Sequence, residues 1–330
     1  MSNKRSWTLG LFVIVLVFGY FIVQFLSSTQ KIGYLVEQME QSKAEDTGGK
    51  HVVLIAQEVD NPFWRMVETG AKEAAEQLGM KIDYMGPIRI NPGEQINLLE
   101  KSIAAKPDAI FAQGINNQRY KLLISQAIDQ GIPVITVDAD EPMSRRLAYV
   151  GTDNWEAGER MGELVVKDTG GAGQVGVIIG SELADNQQLR LEGFRSVIRS
   201  SQGIYIAAVR SSNISRLQAA QQTEVMMNQY PSITSIVGLS SLDAIGIVEG
   251  LEATGRTDVS VYGFDDLEET RQGIAIGAIA ASIVQQPQEI GRQSVLVLSE
   301  FFKSGSIPVQ SFTKTDILDK NNLKASVSSP

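Results

Sequence analysis

Apolar and polar residues follow a repeating pattern from residue 52 onward: a short apolar run, a turn, and a longer amphipathic stretch. In the first unit, residues 52–56 are all apolar, which predicts a short buried strand. Asn61 and Pro62 predict a helix start, because an Asn side chain accepts from an orphan helix N–H and Pro suits the first helical position. Apolar side chains then recur at helical spacing as far as Gly79. The unit therefore predicts a strand, a polar loop and a helix.

Similar units follow along the chain. Ten strands are predicted, at 52–56, 81–85, 109–113, 134–138, 148–150, 175–179, 205–209, 236–239, 259–264 and 278–284. Helical patterns lie between them, at 94–105, 117–130, 155–167, 187–200, 216–229 and 243–254 among others. Strict alternation of strands and helices predicts parallel sheets with helices on both faces, and ten strands suit two sheets better than one. The predicted fold class is α/β, with two doubly wound parallel-sheet lobes and a cleft between them.

The N-terminal segment has the pattern of a membrane anchor. Lys4 and Arg5 precede a mainly apolar run at 9–26. About 20 apolar residues span a bilayer, and positive charge before the span holds the N-terminus in the cytoplasm. We therefore expect residues 1–8 in the cytoplasm, one uncleaved transmembrane helix at 9–26, and the binding domain outside. A cleaved signal peptide is the alternative, and it also places the domain outside the cytoplasm.

Residues 27–50 are predicted to be a juxtamembrane stalk. Within 31–45 an apolar stripe recurs at helical spacing, formed by Ile32, Leu35, Val36 and Met39. This stripe either packs on a partner helix or on the bilayer surface, or it belongs to a solvated stalk. At the other end of the chain, residues 326–330 are predicted to be a frayed tail.

Composition narrows the chemistry. The chain has no cysteine, one histidine and a net charge of -9. A Cys/His zinc site, a thiolate nucleophile and an acylated-cysteine anchor are thereby excluded, and the negative charge argues against a nucleic-acid partner. The G-x-G-x-x-G letters at 171–176 precede a strand rather than a helix, so they do not predict a dinucleotide-binding loop. We expect no metal, no cofactor and no nucleic acid.

Polar residues follow the ends of the predicted strands. They are Asn61, Asp138, Asp140, Arg190, Ser240, Asp265 and Gln285, with Phe63 and Trp64 beside the first. Carboxylates, an amide and a guanidinium suit a sugar, because hydroxyls need both acceptors and donors, and the sugar's C–H face stacks on aromatic rings. Each acidic residue taken singly also fits a helix cap or a strand-end turn. Their recurrence at the same structural place predicts a ligand site.

Six collinear motifs carry a resemblance to a known family. They are Asn61-Pro62-Phe63-Trp64, Ile132-Pro133-Val134-Ile135-Thr136-Val137-Asp138, Tyr149-Val150-Gly151-Thr152-Asp153, Arg190-Leu191-Glu192-Gly193-Phe194, Tyr262-Gly263-Phe264-Asp265-Asp266 and Gln285-Gln286-Pro287-Gln288-Glu289-Ile290-Gly291. In these motifs the chain resembles the type I periplasmic sugar-binding proteins, the relatives of ribose-binding protein, over residues 52–316. Some transcription repressors share that fold, but a predicted membrane span rather than a DNA-binding helix-turn-helix pattern precedes it in this sequence.

The resemblance implies a role for each site residue. Asn61 contacts a sugar hydroxyl, and Phe63 and Trp64 stack on the ring or wall it. The remaining roles are hydrogen bonds accepted by Asp138 and Asp265, donation by Arg190, and a bridge at the hinge by Gln285.

Two departures from the family pattern put ribose itself in doubt. The family has Arg after the acid that matches Asp138, whereas this chain has Ala139 followed by Asp140. The family also has Asn where Ser240 stands. We expect Asp140 to take over part of the lost role.

The resemblance also implies a hinge of three crossings between the lobes. We place these at 151–154, 285–287 and 308–313. The first lobe is then 51–152 plus 286–310, and the second is 153–285 plus 311–325. A ligand closes the lobes about these segments.

The expected function is a membrane-anchored, extracytoplasmic receptor for a neutral monosaccharide or polyol, without catalysis. A membrane histidine kinase is favoured as partner, because an uncleaved anchor and an amphipathic stalk keep the lobes beside a membrane protein. The alternatives are the substrate-binding subunit of an ABC importer, with a permease as partner, and a receptor for a furanosyl signal. A glycoside hydrolase using Asp138 and Asp265 is the least favoured alternative.

Overall fold

The computed structural model describes residues 49–182 and 184–323. The predicted anchor at 9–26, the apolar stripe at 31–45 and the tail at 326–330 lie outside these residues. Within the described ranges, no helix is both long and apolar enough to span a bilayer.

The first lobe is built on a six-stranded sheet of parallel strands in the order β11-β5-β4-β3-β1-β2. Its strands are β1 (Lys50–Ile55), β2 (Met80–Met85), β3 (Ala109–Ala112), β4 (Val134–Val137), β5 (Ala148–Thr152) and β11 (Gln310–Thr313). Its helices are α1 (Pro62–Gln77), α2 (Pro92–Ala105), α3 (Gln118–Asp129) and α9 (Pro287–Ser304).

The second lobe repeats this plan in the order β12-β10-β9-β8-β6-β7. Its strands are β6 (Ala172–Ile179), β7 (Gly203–Ser211), β8 (Ile233–Gly238), β9 (Ser260–Phe264), β10 (Ala281–Val284) and β12 (Asp316–Asp319). Its helices are α4 (Asn154–Thr169), α5 (Asp185–Ser200), α6 (Arg216–Gln229), α7 (Asp243–Ala253) and α8 (Glu268–Ile276). Five strands are parallel, while β12 pairs antiparallel with β10.

Both sheets bury apolar side chains on both faces. Along β1, Leu54 belongs to one core cluster and Ile55 to the cluster on the opposite face. In the second lobe, Val177 and Ile178 are divided in the same way. Alternate residues of a strand point to opposite faces, so the continuous apolar runs of the sequence produce sheets covered by helices on each side. The predicted two-lobed α/β fold is confirmed.

The chain passes between the sheets at three places in the described residues. β5 ends at Thr152 before α4 of the second lobe, and β10 ends at Val284 before α9 of the first. The third crossing follows β11 and lies at residues 314–315, beyond the predicted range 308–313. The predicted lobe boundary after residue 310 is therefore too early, because β11 pairs with β5 through Thr313.

Candidate functional site

A cleft of about 450 Å³, partly open to solvent, lies where strand ends of both sheets meet. It is lined by Gln57, Asn61, Phe63, Trp64, Gln113, Asp138, Ala184, Asn186, Gln187, Arg190, Ile214, Ser240, Ser241, Asp265 and Gln285. Eight of the nine residues predicted from the sequence therefore lie on one cavity. Ligands of open α/β sheets bind at the carboxyl ends of strands, and both lobes contribute such ends to this cleft.

Asp138 and Asp265 occupy equivalent places in the two lobes. Each directly follows the third strand in its sheet order, β4 or β9. Both have left-handed backbone conformations, with φ of 66° and 63°. Such conformations are unfavourable for residues with a Cβ and concentrate at functional sites. The fold thus holds a carboxylate on each side of the cleft.

The Asp138 carboxylate joins the lobes directly. Its Oδ2 atom accepts hydrogen bonds from Gln113 Nε2 of the first lobe at 2.9 Å and from Asn186 Nδ2 of the second at 3.3 Å. Burial raises the pKa of Asp138, and the charge of Arg190 opposes this shift. The carboxylate is therefore a desolvated acceptor whose donors come from both walls.

Gln285 connects the second carboxylate to the hinge. Its Nε2 atom donates to Asp265 Oδ1 at 2.9 Å. Its Oε1 atom accepts from Thr152 Oγ1 at 2.9 Å and from Arg190 Nη2 at 2.7 Å. Burial raises the pKa of Asp265 to about 6 despite the nearby Arg190 charge. Because Thr152 ends a first-lobe strand, this network crosses between the lobes at the hinge.

Arg190 is the buried cation of the cleft. It is 2% exposed, and its guanidinium carbon lies 4.0 Å from the centre of the Phe264 ring. Nε donates to Asn154 Oδ1 at 2.8 Å, and Nη1 donates to the Leu239 carbonyl at 3.0 Å. Burial lowers the pKa of Arg190, while Asp138 and Asp265 raise it. With the bond to Gln285, these residues accept hydrogen bonds from all three guanidinium nitrogens of Arg190.

The start of α1 supplies the aromatic wall. Phe63 and Trp64 are buried and meet edge to face, with ring centroids 5.9 Å apart. Asn61 caps the helix, because its Oδ1 accepts from the Phe63 backbone N–H at 3.0 Å. Its amide donates to Glu58 at 3.3 Å. Asn61 thus has the capping role that its sequence position predicts, and its contact with a sugar hydroxyl stays a prediction.

Two polar side-chain atoms of residues that line the cleft are buried and have no hydrogen-bond partner among the described residues. These are Gln113 Oε1 and Ser240 Oγ. Buried polar atoms are normally paired, so an orphan acceptor and an orphan hydroxyl on the cavity walls indicate groups that pair with a ligand or water.

Asp140 does not lie on the cleft. Its carboxylate accepts from Thr136 Oγ1 at 2.6 Å and forms a two-point ion pair with Arg146, whose Nη2 lies 2.6 Å from Oδ2. Both side chains of that pair are buried. The structure therefore assigns the Asp140 carboxylate to this buried ion pair and does not bring it to the cleft, and its expected ligand contact stays an untested prediction.

Several cleft residues escaped the sequence analysis. Gln57 and Gln113 stand two and one residues after β1 and β3, so the strand-end rule applies to them as well. Gln113 was missed although, like Asp138, it is the last residue of its predicted strand. Asn186 lies one helical turn before Arg190 on α5, and this spacing places both on one face. No comparable periodic signal marks Ile214 or Ser241.

In the part of the chain that the structure describes, no group of three His, Cys, Asp or Glu side chains is arranged to hold a metal ion. The cleft pairs carboxylates with amides and a guanidinium, which suits uncharged hydroxyl groups better than a cation.

Comparison with known proteins gives consistent matches. Residues 52–305 match the family described as periplasmic binding protein domain. GanP, a glucose-galactose binding protein from Geobacillus stearothermophilus, is 40% identical with a TM-score of 0.82, covering 84% of this chain and 99% of that one. A chain of the XylFII-LytSN complex is 31% identical with a TM-score of 0.77, covering 83% and 98%. The D-apiose import binding protein of Actinobacillus succinogenes is 24% identical, covering 83% of this chain and 89% of that protein.

Proposed function

Since this chain belongs to the periplasmic binding protein domain family, we propose that its cleft binds a neutral monosaccharide or similar polyol outside the cytoplasm. The observation that carries the proposal is one cavity that combines Asp138, Asp265, the buried Arg190 and two aromatic rings. These groups match the hydroxyls and the C–H face of a sugar. The similarity to a glucose-galactose binding protein and a D-apiose binding protein supports the same ligand class.

The chain is a binding protein rather than an enzyme, as are its relatives. The carboxylates act as hydrogen-bond acceptors, and closing the lobes removes water from them. Charge-assisted hydrogen bonds are roughly twice as strong as neutral ones, so a desolvated cleft with two carboxylates and a guanidinium suits a small polar ligand.

A thermal-shift screen of the purified protein tests ligand binding. The panel contains pentoses, hexoses, inositols and furanosyl diols. A ligand at 100 times its dissociation constant adds about 2.7 kcal/mol of stability, which is visible as a higher melting temperature. We expect at least one monosaccharide to raise the melting temperature, and a panel without any shift contradicts the proposal.

For the biological role, we favour a membrane-anchored co-sensor that presents its closed state to a membrane histidine kinase. The similarity to a chain of the XylFII-LytSN complex supports a protein partner. The predicted anchor at 9–26 and stalk at 31–45 keep the lobes beside such a partner. Deleting 31–45 is expected to abolish signalling while sugar binding persists. Signalling that survives the deletion argues against a role of the stalk.

The alternative role is the substrate-binding subunit of an ABC sugar importer, which the similarity to an import binding protein favours. Uptake of labelled sugar distinguishes the two roles. Loss of uptake after deletion of the gene identifies an importer, whereas unchanged uptake with a lost transcriptional response identifies a sensor.

A further inference from the structure

Asp243 is a fully buried carboxylate that does not line the cleft. It is the first residue of α7, directly behind the loop that carries Ser240. Its Oδ2 atom accepts from the Ser240 backbone N–H at 2.8 Å, and its Oδ1 atom accepts from Ser212 Oγ at 2.6 Å. One side chain thereby contacts two loops, the one between β8 and α7 and the one between β7 and α6.

Ser212 extends this contact to the cleft wall. Its Oγ accepts from the Ile214 backbone N–H at 3.2 Å. Ile214 lines the cleft with a left-handed backbone, φ 53°, which is a rare conformation for a β-branched residue. Such strain persists only where the surroundings enforce it. The hydrogen bond that Ser212 accepts from the Ile214 N–H helps to hold this backbone conformation, and Asp243 in turn holds the Ser212 hydroxyl.

The two loops meet at Gly180 without spare room. A Cβ placed on Gly180 would lie 2.8 Å from Ile214 Cγ1 and 2.8 Å from Ser240 Cβ. A displacement of either loop is therefore transmitted to the other, because densely packed interiors do not absorb such shifts.

Helix capping explains only one of the two hydrogen bonds that Asp243 accepts. The bond from Asp243 back to the Ser240 N–H resembles a capping box, which stabilises a helix start. The bond to Ser212 is not needed for capping. Burial also raises the pKa of Asp243 to about 6, although the hydrogen bonds from the Ser212 hydroxyl and the Ser240 backbone N–H oppose this shift. A carboxylate is thus kept in the interior where it joins two loops of one cleft wall.

We propose that Asp243 is a positioning residue that fixes Ser240 and Ile214 against each other and so sets which sugar epimers the cleft accepts. This inference rests on the proposed sugar-binding function. Ser240 supplies a hydroxyl and Ile214 an apolar surface at neighbouring points of one wall. Epimers differ in the direction of one hydroxyl, so the relative position of a polar and an apolar contact discriminates between them.

The test compares dissociation constants for D-glucose, D-galactose, D-ribose, D-arabinose and D-xylose by titration calorimetry on the full chain. Ser212→Ala cuts the link to Ile214 and leaves the start of α7 intact. We expect it to change the affinity ratio of an epimer pair by about tenfold. Asp243→Asn retains one acceptor for the Ser240 N–H, and its amide can donate to Ser212 Oγ. We therefore expect its affinity ratios to stay within about twofold of those of the wild type.

Ser215→Ala is the matched control, because Ser215 caps α6 in the same loop and does not line the cleft. It should lower the melting temperature and leave the epimer ratios unchanged. Hydrogen exchange at the Ile214 amide adds a readout independent of sugar, and Ser212→Ala should accelerate it. Unchanged ratios in Ser212→Ala, with normal binding by the wild type, overturn this inference alone. Failure of the wild type to bind any sugar overturns the proposed function and this inference together.

Discussion

Single residues around the cleft separate into side chains that line the cavity and side chains that lie behind its walls, and two nearby aspartates show the difference. Asp138 lines the cavity, while Asp140 is paired with Arg146 away from it. Asp138→Asn should weaken sugar binding by roughly 1.5–3 kcal/mol, or about 10- to 150-fold, because it removes a charged acceptor. Asp140→Asn should leave affinity nearly unchanged and lower the free energy of unfolding by roughly 3 kcal/mol, since it leaves a buried guanidinium unpaired. Calorimetry and urea unfolding measure the two effects, and the reverse pattern contradicts this assignment.

Asp265 should show a conflict between stability and binding. Its folded-state pKa is about 6, above its unfolded value, so between pH 4 and 6 the unfolded chain releases this proton first. The wild type therefore loses stability as pH rises through that window and does not regain it above. Asp265→Asn removes this loss while its amide oxygen still accepts from Gln285. Without sugar, we expect the variant to be more stable by on the order of 1–3 kcal/mol at pH 7.5, and by less at pH 4.5.

Chemical denaturation at the two pH values, with sugar titrations alongside, tests that expectation. The variant should bind sugar more weakly in spite of its greater stability. A stability difference that grows toward low pH would falsify a raised folded-state pKa for Asp265.

The sequence predicted several cleft-lining residues from polar side chains that end apolar runs. Asp138 and Asp265 are of this kind. The same rule also selected Asp140, which does not line the cleft, because its pairing with Arg146 depends on how a loop folds back and leaves no periodic trace in the sequence. Ile214 was invisible for a related reason, since it lies on the cleft through a strained loop.

At the scale of elements, the close crossing of α1 and α9 sets the shape of the first lobe. A Cβ on Gly70 would lie 1.8 Å from the Gln288 carbonyl oxygen, so the helices touch through glycine. Gly70→Ala should destabilise the protein by roughly 1–3 kcal/mol through overpacking. Gly93→Ala, on α2, meets its nearest atom at 3.4 Å and should be neutral or stabilising by up to about 1 kcal/mol. Melting temperatures test both, and equal losses contradict the packing argument.

Strands with strong apolar runs were predictable, and the two at the end of the chain were not. β11 reads Gln-Ser-Phe-Thr and β12 reads Asp-Ile-Leu-Asp, so neither carries enough apolar residues to stand out. Each is an edge strand of a different sheet, where partial exposure relaxes the need for apolar side chains. The third crossing was misplaced for this reason.

For the whole molecule, the lobes meet through side chains that also line the cleft. Asn186 of the second lobe donates to Asp138 of the first, and Gln285 links Asp265 to Thr152 at the hinge. The side chains that join the lobes therefore belong largely to residues that line the cleft. A sugar that bridges these groups favours the closed arrangement by its difference in affinity between open and closed states.

Because Asn186 of α5 contacts Asp138 of the other lobe, a negative charge at position 186 is expected to oppose closure of the two lobes. Asn186→Asp keeps the bond that the side chain accepts from the Gln187 N–H but places a carboxylate against Asp138. Repulsion in a desolvated cleft should shift the protein toward the open state and weaken sugar binding by at least about tenfold. Gln188→Glu is the control, because it adds the same charge to the same helix turn at a half-buried position whose amide donates to the Glu182 carbonyl rather than to Asp138, and it should bind as the wild type does. Small-angle scattering should show a larger radius of gyration for Asn186→Asp, restored only by excess sugar. A variant as compact and as tight-binding as the wild type would mean that the contact between Asp138 and position 186 plays no part in closure.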